Sequence, residues 1–332
     1  MHVRSAADAG LDRFVGAGGD PAHQEEVRRY LDTMFAAGSM RPGWCFVAEE
    51  GTTVGRIAFW TLPGMEEPFA LVLFDVDRRG DLRAFGAGLL EYALKEARRM
   101  ETREIEHVID VPPQPPQFQH HAEARIGLLA GAGFAPRRET VRFEWTGGSP
   151  PIRADRLRYR TLPEVGEEAF VAAISRVSEG TLDQEIQSDR DELGPEGAAR
   201  DFFEDAARVE HDPSWWRLAY AGEDLVGLVM PARPPAFLTI FYVGVVPGMR
   251  GRGFVDDLLA SGTATLLEAR GEYATPLRTD TDVSNHPMSA AFERAGWSRF
   301  ARRREYVADL APPGDDQATR DPGPPVEGPT AP

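Results

Sequence analysis

The chain repeats itself, and the repeat constrains its fold more than any single motif does. "WCFVAEEGTTVGRIAFW", Trp44 to Trp60, matches "WWRLAYAGEDLVGLVM", Trp215 to Met230: two apolar runs around a short polar turn, with Gly55 answering Gly227. Both patterns predict β-hairpins. Each is followed by an apolar run, "FALVLFDV" (Phe69 to Val76) or "AFLTIFYVGV" (Ala236 to Val245), then by a glycine-bearing turn and a helix. The helices, "LRAFGAGLLEYALKEARRM" and "GFVDDLLASGTATLLEAR", space their apolar residues at i, i+3, i+4, and each leads to a strand, "EIEHVIDV" or "PLRTDTDV". A second helix closes each half at "GAGF" and "RAGW", and a final strand follows, "RRETVRFEW" against "RRREYVADL". The expected organisation is two copies of one α/β unit, residues 1–148 and 152–311, joined by the polar stretch "TGGSPPIRADR". Residues 312–332 are proline-rich and nearly devoid of apolar side chains, so they read as a disordered tail.

A length of 332 residues accommodates two such units. Lys and Arg number 37 against 53 Asp and Glu, a net charge of −16 that argues against nucleic acid and anionic membranes and favours cationic or amine-bearing small molecules. Cys45 is the one cysteine, which excludes an intramolecular disulfide and a cysteine-built metal site and suits a reducing cytoplasm. The seven histidines are unclustered, so no metal is expected. No apolar run approaches the ~18 residues of a membrane span, and the first residues lack the apolar core of a signal peptide, so a cytoplasmic protein is expected.

The stretch "VGVVPGMRGRGFVDDLL", Val243 to Leu259, passes from strand through a glycine and arginine turn into a helix. Such a turn aims free backbone N–H groups at an anion, because the first turn of a helix has donors without partners and a favourable dipole. It matches neither G-x-x-x-x-G-K-[ST] nor G-x-G-x-x-G, and taken alone it is equally a solvated turn. In context, Arg250, Gly251, Arg252 and Gly253 after Val245, Val246 and Pro247 resemble motif A, R/Q-x-x-G-x-G/A, of the GCN5-related N-acetyltransferases (GNAT). Further on, "NHPMSAAFERAGW", Asn285 to Trp297, resembles motif B of that family. The resemblance covers nearly the whole chain as a tandem pair, an arrangement similar to that of mycothiol synthase and related two-domain acetyltransferases. It implies two tandem GNAT domains, each a mixed, mostly antiparallel sheet flanked by helices. Acetyl-CoA is the implied acyl donor and a primary amine of a small molecule the acceptor, in a monomer or homodimer. The implied cofactor-binding residues are Val243, Gly244, Val245, Arg250, Gly251, Arg252, Gly253, Phe254, Val255 and Asn285. Val255 departs from the motif, which has Gly or Ala there.

"RAFGAG", Arg83 to Gly88, fits the motif A letters in the first half. Aligning the two helices instead puts Asp81 where Arg250 sits and Ala84 where Gly253 sits, and an acidic residue there repels phosphate. The first half also lacks the motif B asparagine, so it is expected to be a degenerate, structural copy.

The resemblance implies direct attack on a thioester held against the strand before motif A, with N–H groups near Val243 to Val245 stabilising the oxyanion. The attacking amine must shed a proton. Asp280 and Asp282 share one face of "PLRTDTDV", and Asp282 is read either as the base or ammonium partner or as the cap of the turn at "DVSN". Phe292 stands where motif B usually has its tyrosine acid. Tyr242 is the substitute donor or else a half-buried strand aromatic. Asn285 either bonds the pantetheine arm or caps its helix. The acidic stretch Asp183 to Asp212 is a solvated helix face or, where it lines the cleft, the mark of a cationic acceptor. Val255, Phe292 and Thr239, where tandem relatives often carry a glutamate, motivate the alternative of an acyl-CoA-binding pseudoenzyme or sensor without turnover.

Overall fold

Both predicted hairpins form, with Cys45 to Glu50 pairing Ala58 to Thr53 and Arg217 to Ala221 pairing Val229 to Asp224. The computed structural model describes residues 1–18, 20–76, 82–147, 156–270 and 275–311. Most of the expected linker, the tail from 312 and Asp81 lie outside them.

The N-terminal half runs β1 (His2–Ser5), α1 (Ala6–Ala9), α2 (Leu11–Gly16), α3 (Gln24–Ala36), β2 (Cys45–Glu50), β3 (Thr53–Trp60), β4 (Ala70–Val76), α4 (Leu82–Arg99), β5 (Glu104–Val111), α5 (Ala122–Gly131) and β6 (Ala135–Trp145). The C-terminal half runs β7 (Arg158–Thr161), α6 (Leu162–Val165), α7 (Glu167–Val177), α8 (Gln184–Arg208), β8 (Arg217–Ala221), β9 (Asp224–Ala232), β10 (Thr239–Val245), α9 (Phe254–Arg270), β11 (Arg278–Asp282), α10 (His286–Arg294) and β12 (Trp297–Asp309).

The strands form an eight-stranded sheet in the order β1-β2-β3-β4-β5-β12-β6-β11 and a four-stranded sheet β10-β9-β8-β7. The two halves exchange strands. β12 lies between β5 and β6 of the first half, pairing antiparallel with both, while β6 lies between β12 and β11 of the second. The cores follow the strands. Tyr306, Ala308 and Leu310 complete the apolar layer under α4, and Val141, Phe143 and Trp145 complete the one under α9.

Each half contains a pair of parallel strands that touch at one end and then diverge. β4 and β5 pair at Ala70↔Glu106 and Leu71↔His107 only. β10 and β11 approach each other at their first residues, where the parallel bridge Leu238↔Leu277 lies just ahead of both strands. Beyond these contacts the sheet opens into two V-shaped gaps, one per half, and a ladder irregularity beside each gap accentuates the splay.

Candidate functional site

The C-terminal opening presents an unpaired strand edge. The Val246 N–H donates to the Val226 carbonyl at 2.9 Å, so by antiparallel alternation Gly244 and Tyr242 also direct their backbone groups at β9. Val243 and Val245 direct theirs into the opening, where Arg250 Nε reaches the Val245 carbonyl at 3.0 Å. Gly244 is required by close approach, because a Cβ there would stand 2.3 Å from Val177 Cγ1 of α7.

Beyond β10 the chain makes one 3-10 turn over Pro247–Met249, and Gly251 and Gly253 follow at φ +74° before α9 begins. Side chains rarely adopt that φ, which explains both glycines. None of the N–H groups from Gly251 to Val255 has an acceptor among the described residues. A run of such donors at the start of a helix is a cradle that suits an anion. Arg250, expected to face the phosphates, donates elsewhere: to the carbonyls of Val177 (2.9 Å), Glu179 (2.7 Å) and Gly180 (3.2 Å). Its guanidinium closes the C-terminal end of α7 and ties it to the cradle. The Arg252 side chain donates to the Gly248 carbonyl at 3.0 Å within the same turn. The half-buried Phe254 and Val255 line the cleft and pack against the C-terminal core.

A cleft of about 990 Å³ runs along the opening and is walled by both halves. Asn285 lines it and caps α10, its Oδ1 accepting the Met288 N–H at 3.2 Å. The two readings of this residue are therefore compatible. Phe292 is 1 % exposed and packs on Phe143 from the exchanged β6, ring centroids 5.1 Å apart. Tyr242 lines the cleft against Phe202, and its hydroxyl has no hydrogen-bond partner among the described residues. Burial, helped by the nearby Asp183 carboxylate, pushes the phenol pKa up, so the hydroxyl keeps its proton and can donate.

Asp280 is exposed and lines the cleft, whereas Asp282 is fully buried. The Asp282 carboxylate accepts from the Ser284 N–H (3.0 Å), the Ser284 hydroxyl (2.7 Å) and the Gln184 N–H (3.4 Å). That geometry is the turn cap, extended to hold the start of α8. The strand pattern showed which face Asp282 occupies but not that α8 covers it.

The acidic stretch does reach the cleft: Asp183, Glu185, Asp189, Asp201 and Asp205 all line it. Asp183 caps α8 through the N–H groups of Glu185 and Ile186, both at 3.1 Å. Burial, reinforced by the Glu185 and Asp282 carboxylates, raises its pKa against the pull of Arg138. Burial and neighbouring carboxylates raise Asp189 and Asp205 as well. Asp183 is the ionisable group that sequence reasoning missed, although an aspartate just before a helix is itself an N-cap signal.

The N-terminal opening is filled. Gln117 Oε1 accepts the Leu73 N–H at 2.5 Å, and Arg125, 2 % exposed, donates to the Phe74 carbonyl (2.6 Å) and the Asp75 carboxylate (2.9 Å). His107 donates from Nδ1 to the Leu71 carbonyl at 2.9 Å, which leaves Nε2 to accept from Gln119 at 3.2 Å. The pairings Gly55↔Val76 and Gly227↔Val245 set the register between the halves, and counting on from them places Leu82 at Gly251 and Ala84 at Gly253. Leu82 and Ala84 already belong to α4, so "RAFGAG" lies in the first two turns of a helix and not in a glycine turn ahead of one.

Among the described residues no three His, Cys, Asp or Glu side chains are grouped as metal ligands, and no helix is long and apolar enough to cross a membrane.

No protein-family model matches the sequence, and no curated protein matches it. Solved structures do. A GCN5-related N-acetyltransferase from Sphaerobacter thermophilus aligns at 18 % identity over 94 % of this chain and 96 % of its own, with a TM-score of 0.54. A glucosamine N-acetyltransferase region of a fungal multi-domain GH3 β-N-acetylglucosaminidase aligns at 13 % identity over 92 % of this chain and 38 % of its own, with a TM-score of 0.53. A tandem GNAT protein from the clavulanic acid biosynthesis pathway aligns at 16 % identity over 87 % and 96 %, with a TM-score of 0.49. With two openings of the same topology joined by exchanged strands, the chain has the fold of the GCN5-related N-acetyltransferases, built as a tandem pair.

Proposed function

We propose that the protein transfers an acetyl group from acetyl-CoA to a primary amine of a small molecule, by direct attack within the C-terminal opening. The observation that carries this reading is the contrast between the openings. The N-terminal one has the Leu73 N–H and the Phe74 carbonyl bonded by its own side chains, whereas in the C-terminal one Arg250 takes the Val245 carbonyl but the Val243 groups, the Val245 N–H and the donors of Gly251 to Val255 have no partner among the described residues.

The residues fit acetyl-CoA in kind: a donor cradle suits a pyrophosphate, and an open strand edge with Asn285 beside it suits an amide-bearing arm. When bound, acetyl-CoA supplies a thioester carbonyl carbon open to a nucleophile. N–H groups of β10 hold the carbonyl oxygen as negative charge develops on it. Asp183, its basicity raised by burial, takes the proton released as the amine nitrogen bonds to that carbon. Tyr242 keeps its proton and donates a hydrogen bond to the sulfur as the C–S bond breaks, so that CoA leaves as the thiolate. Asp282 supports the site by fixing the start of α8, and with it Asp183. The carboxylates of α8 along the cleft favour a cationic acceptor. The N-terminal half serves as a wall of the cleft.

Binding without turnover is the second reading, favoured by the burial of Phe292 at the position of the usual acid. A thiol-release assay with acetyl-CoA and a panel of mono- and polycationic amines separates the two. The expected result is turnover that falls about a hundredfold in kcat for Asp183→Asn with KM for acetyl-CoA unchanged, and about tenfold for Tyr242→Phe. Calorimetric binding of acetyl-CoA with no turnover on any amine selects the sensor, and absence of binding refutes both.

A further inference from the structure

The first turn of α9 carries two carboxylates, Asp256 and Asp257, beside the N–H groups assigned above to the pyrophosphate. Acids at this end favour the helix but oppose a second anion. Asp256 is 42 % exposed, where water screens it, and pairs with Arg294 at 2.8 Å. Asp257 is 5 % exposed, and its backbone is fixed by the Tyr159 hydroxyl at 3.1 Å. A buried, uncompensated carboxylate there would repel a pyrophosphate strongly.

Arg156, just ahead of β7 where the chain enters the C-terminal half, answers that charge. Its Nη2 donates to Asp257 Oδ2 at 2.5 Å and to the Gly253 carbonyl at 3.1 Å, and its Nη1 to the Arg252 carbonyl at 3.3 Å. The guanidinium also stands 5.1 Å from the Phe254 ring centroid. In a planar trans peptide the C=O and the next N–H point in opposite directions. Drawing the Arg252 and Gly253 carbonyls to one side therefore turns the Gly253 and Phe254 N–H groups to the other, and both residues line the cleft.

We propose that Arg156 is a positioning residue for the acyl donor: it neutralises Asp257 and, through the two carbonyls, holds the cradle N–H groups toward the ligand. The inference rests on the site reading above.

Calorimetric titration of the intact protein with acetyl-CoA tests it, with CoA as a second probe. If the wild type gives no binding, the site reading fails. If the wild type binds, Arg156→Gln is expected to weaken affinity about tenfold. Asp257→Asn alone should bind as tightly as wild type or tighter, and the double variant should recover most of the loss. Arg156→Lys should stay within about threefold, because the charge is kept. Wild-type affinity for Arg156→Gln, no recovery in the double variant, or an equal loss from Arg294→Gln would overturn the proposal. Should Arg156→Gln fail to fold, weaker binding by Asp257→Asn would overturn it alone.

Discussion

The two V-shaped openings share a backbone plan and differ in a few side chains. In strand register Phe74 answers Val243 and Asp75 answers Gly244. In the first half, Asp75 holds Arg125, and Arg125 and Gln117 take the backbone groups of β4. In the second, Gly244 has no side chain, α7 closes over it, and the backbone groups of Val243 have no partner among the described residues, Arg250 taking only the Val245 carbonyl. In a duplicated fold one gap can therefore be filled locally, by hydrogen-bonding side chains, while its sheet and core are kept. The exchange of β6 and β12 joins the two openings into one body.

The largest expected effect comes from undoing that exchange. Residues 1–148 alone lack β12, and residues 152–332 alone lack β6 with Val141, Phe143 and Trp145 of the C-terminal core. Each large buried side chain removed costs about 2–5 kcal/mol, so the loss, together with that of a whole strand's ladder of hydrogen bonds, is comparable to the ~5–15 kcal/mol that holds a domain together. Neither fragment should give a cooperative thermal transition by circular dichroism, and co-expression of the two should restore one. A cooperative transition in either fragment alone would break the picture of a shared body.

A smaller effect sharpens the contrast between the openings. Arg125→Ala leaves the Asp75 carboxylate and the Phe74 carbonyl without their buried partner, and losing one member of such a pair costs about 3–5 kcal/mol. Chemical denaturation should report that loss. The acetyl-CoA stoichiometry, expected to be one per chain, should not change. Two equivalents bound by the wild type would show that the first opening is in use.

Hairpins, helices and the glycine turn were legible in the sequence because they are local. Period, turn chemistry and alignment carry them, and the strand register reproduces the alignment that set Ala84 against Gly253. What escaped is non-local. "RRETVRFEW" and "RRREYVADL" read as two final strands, and nothing in either names the strand it pairs with. Gln117 and Gln119 sit in a proline-rich stretch that reads as loop, and their role depends on a gap made by strands far away in sequence. The same holds for Arg250 and Asp282: residue type suggested a ligand contact, whereas their partners lie on α7 and α8. The cradle N–H groups were inferable because they need no partner in the chain.

The finest test lies in β5, where Glu106 and His107 are adjacent and titrate in opposite senses. Glu106 is raised to about 7, by burial and then by the carboxylates of Glu305, Glu185 and Glu104, which together outweigh Arg137. Its contribution to stability is fully present below the ordinary glutamate value and is lost as pH rises through 7. His107 is pushed down to about 4 by burial and the nearby Arg125. The unfolded chain then binds the extra proton, so stability is lost as pH falls from the ordinary histidine value toward 4. Each contribution is about 3 kcal/mol at full extent, and over the shared window between about pH 4.5 and 6.5 they nearly cancel. Glu106→Gln should unmask the histidine: relative to wild type, the variant loses stability as pH is lowered from 7 to 4.5, measured by denaturation at each pH. A difference curve that is flat across that range would mean that Glu106 is ionised throughout. Its ion pair with Arg137, which also reaches Glu185 at the start of α8, would then tie β5 to α8 at every pH tested.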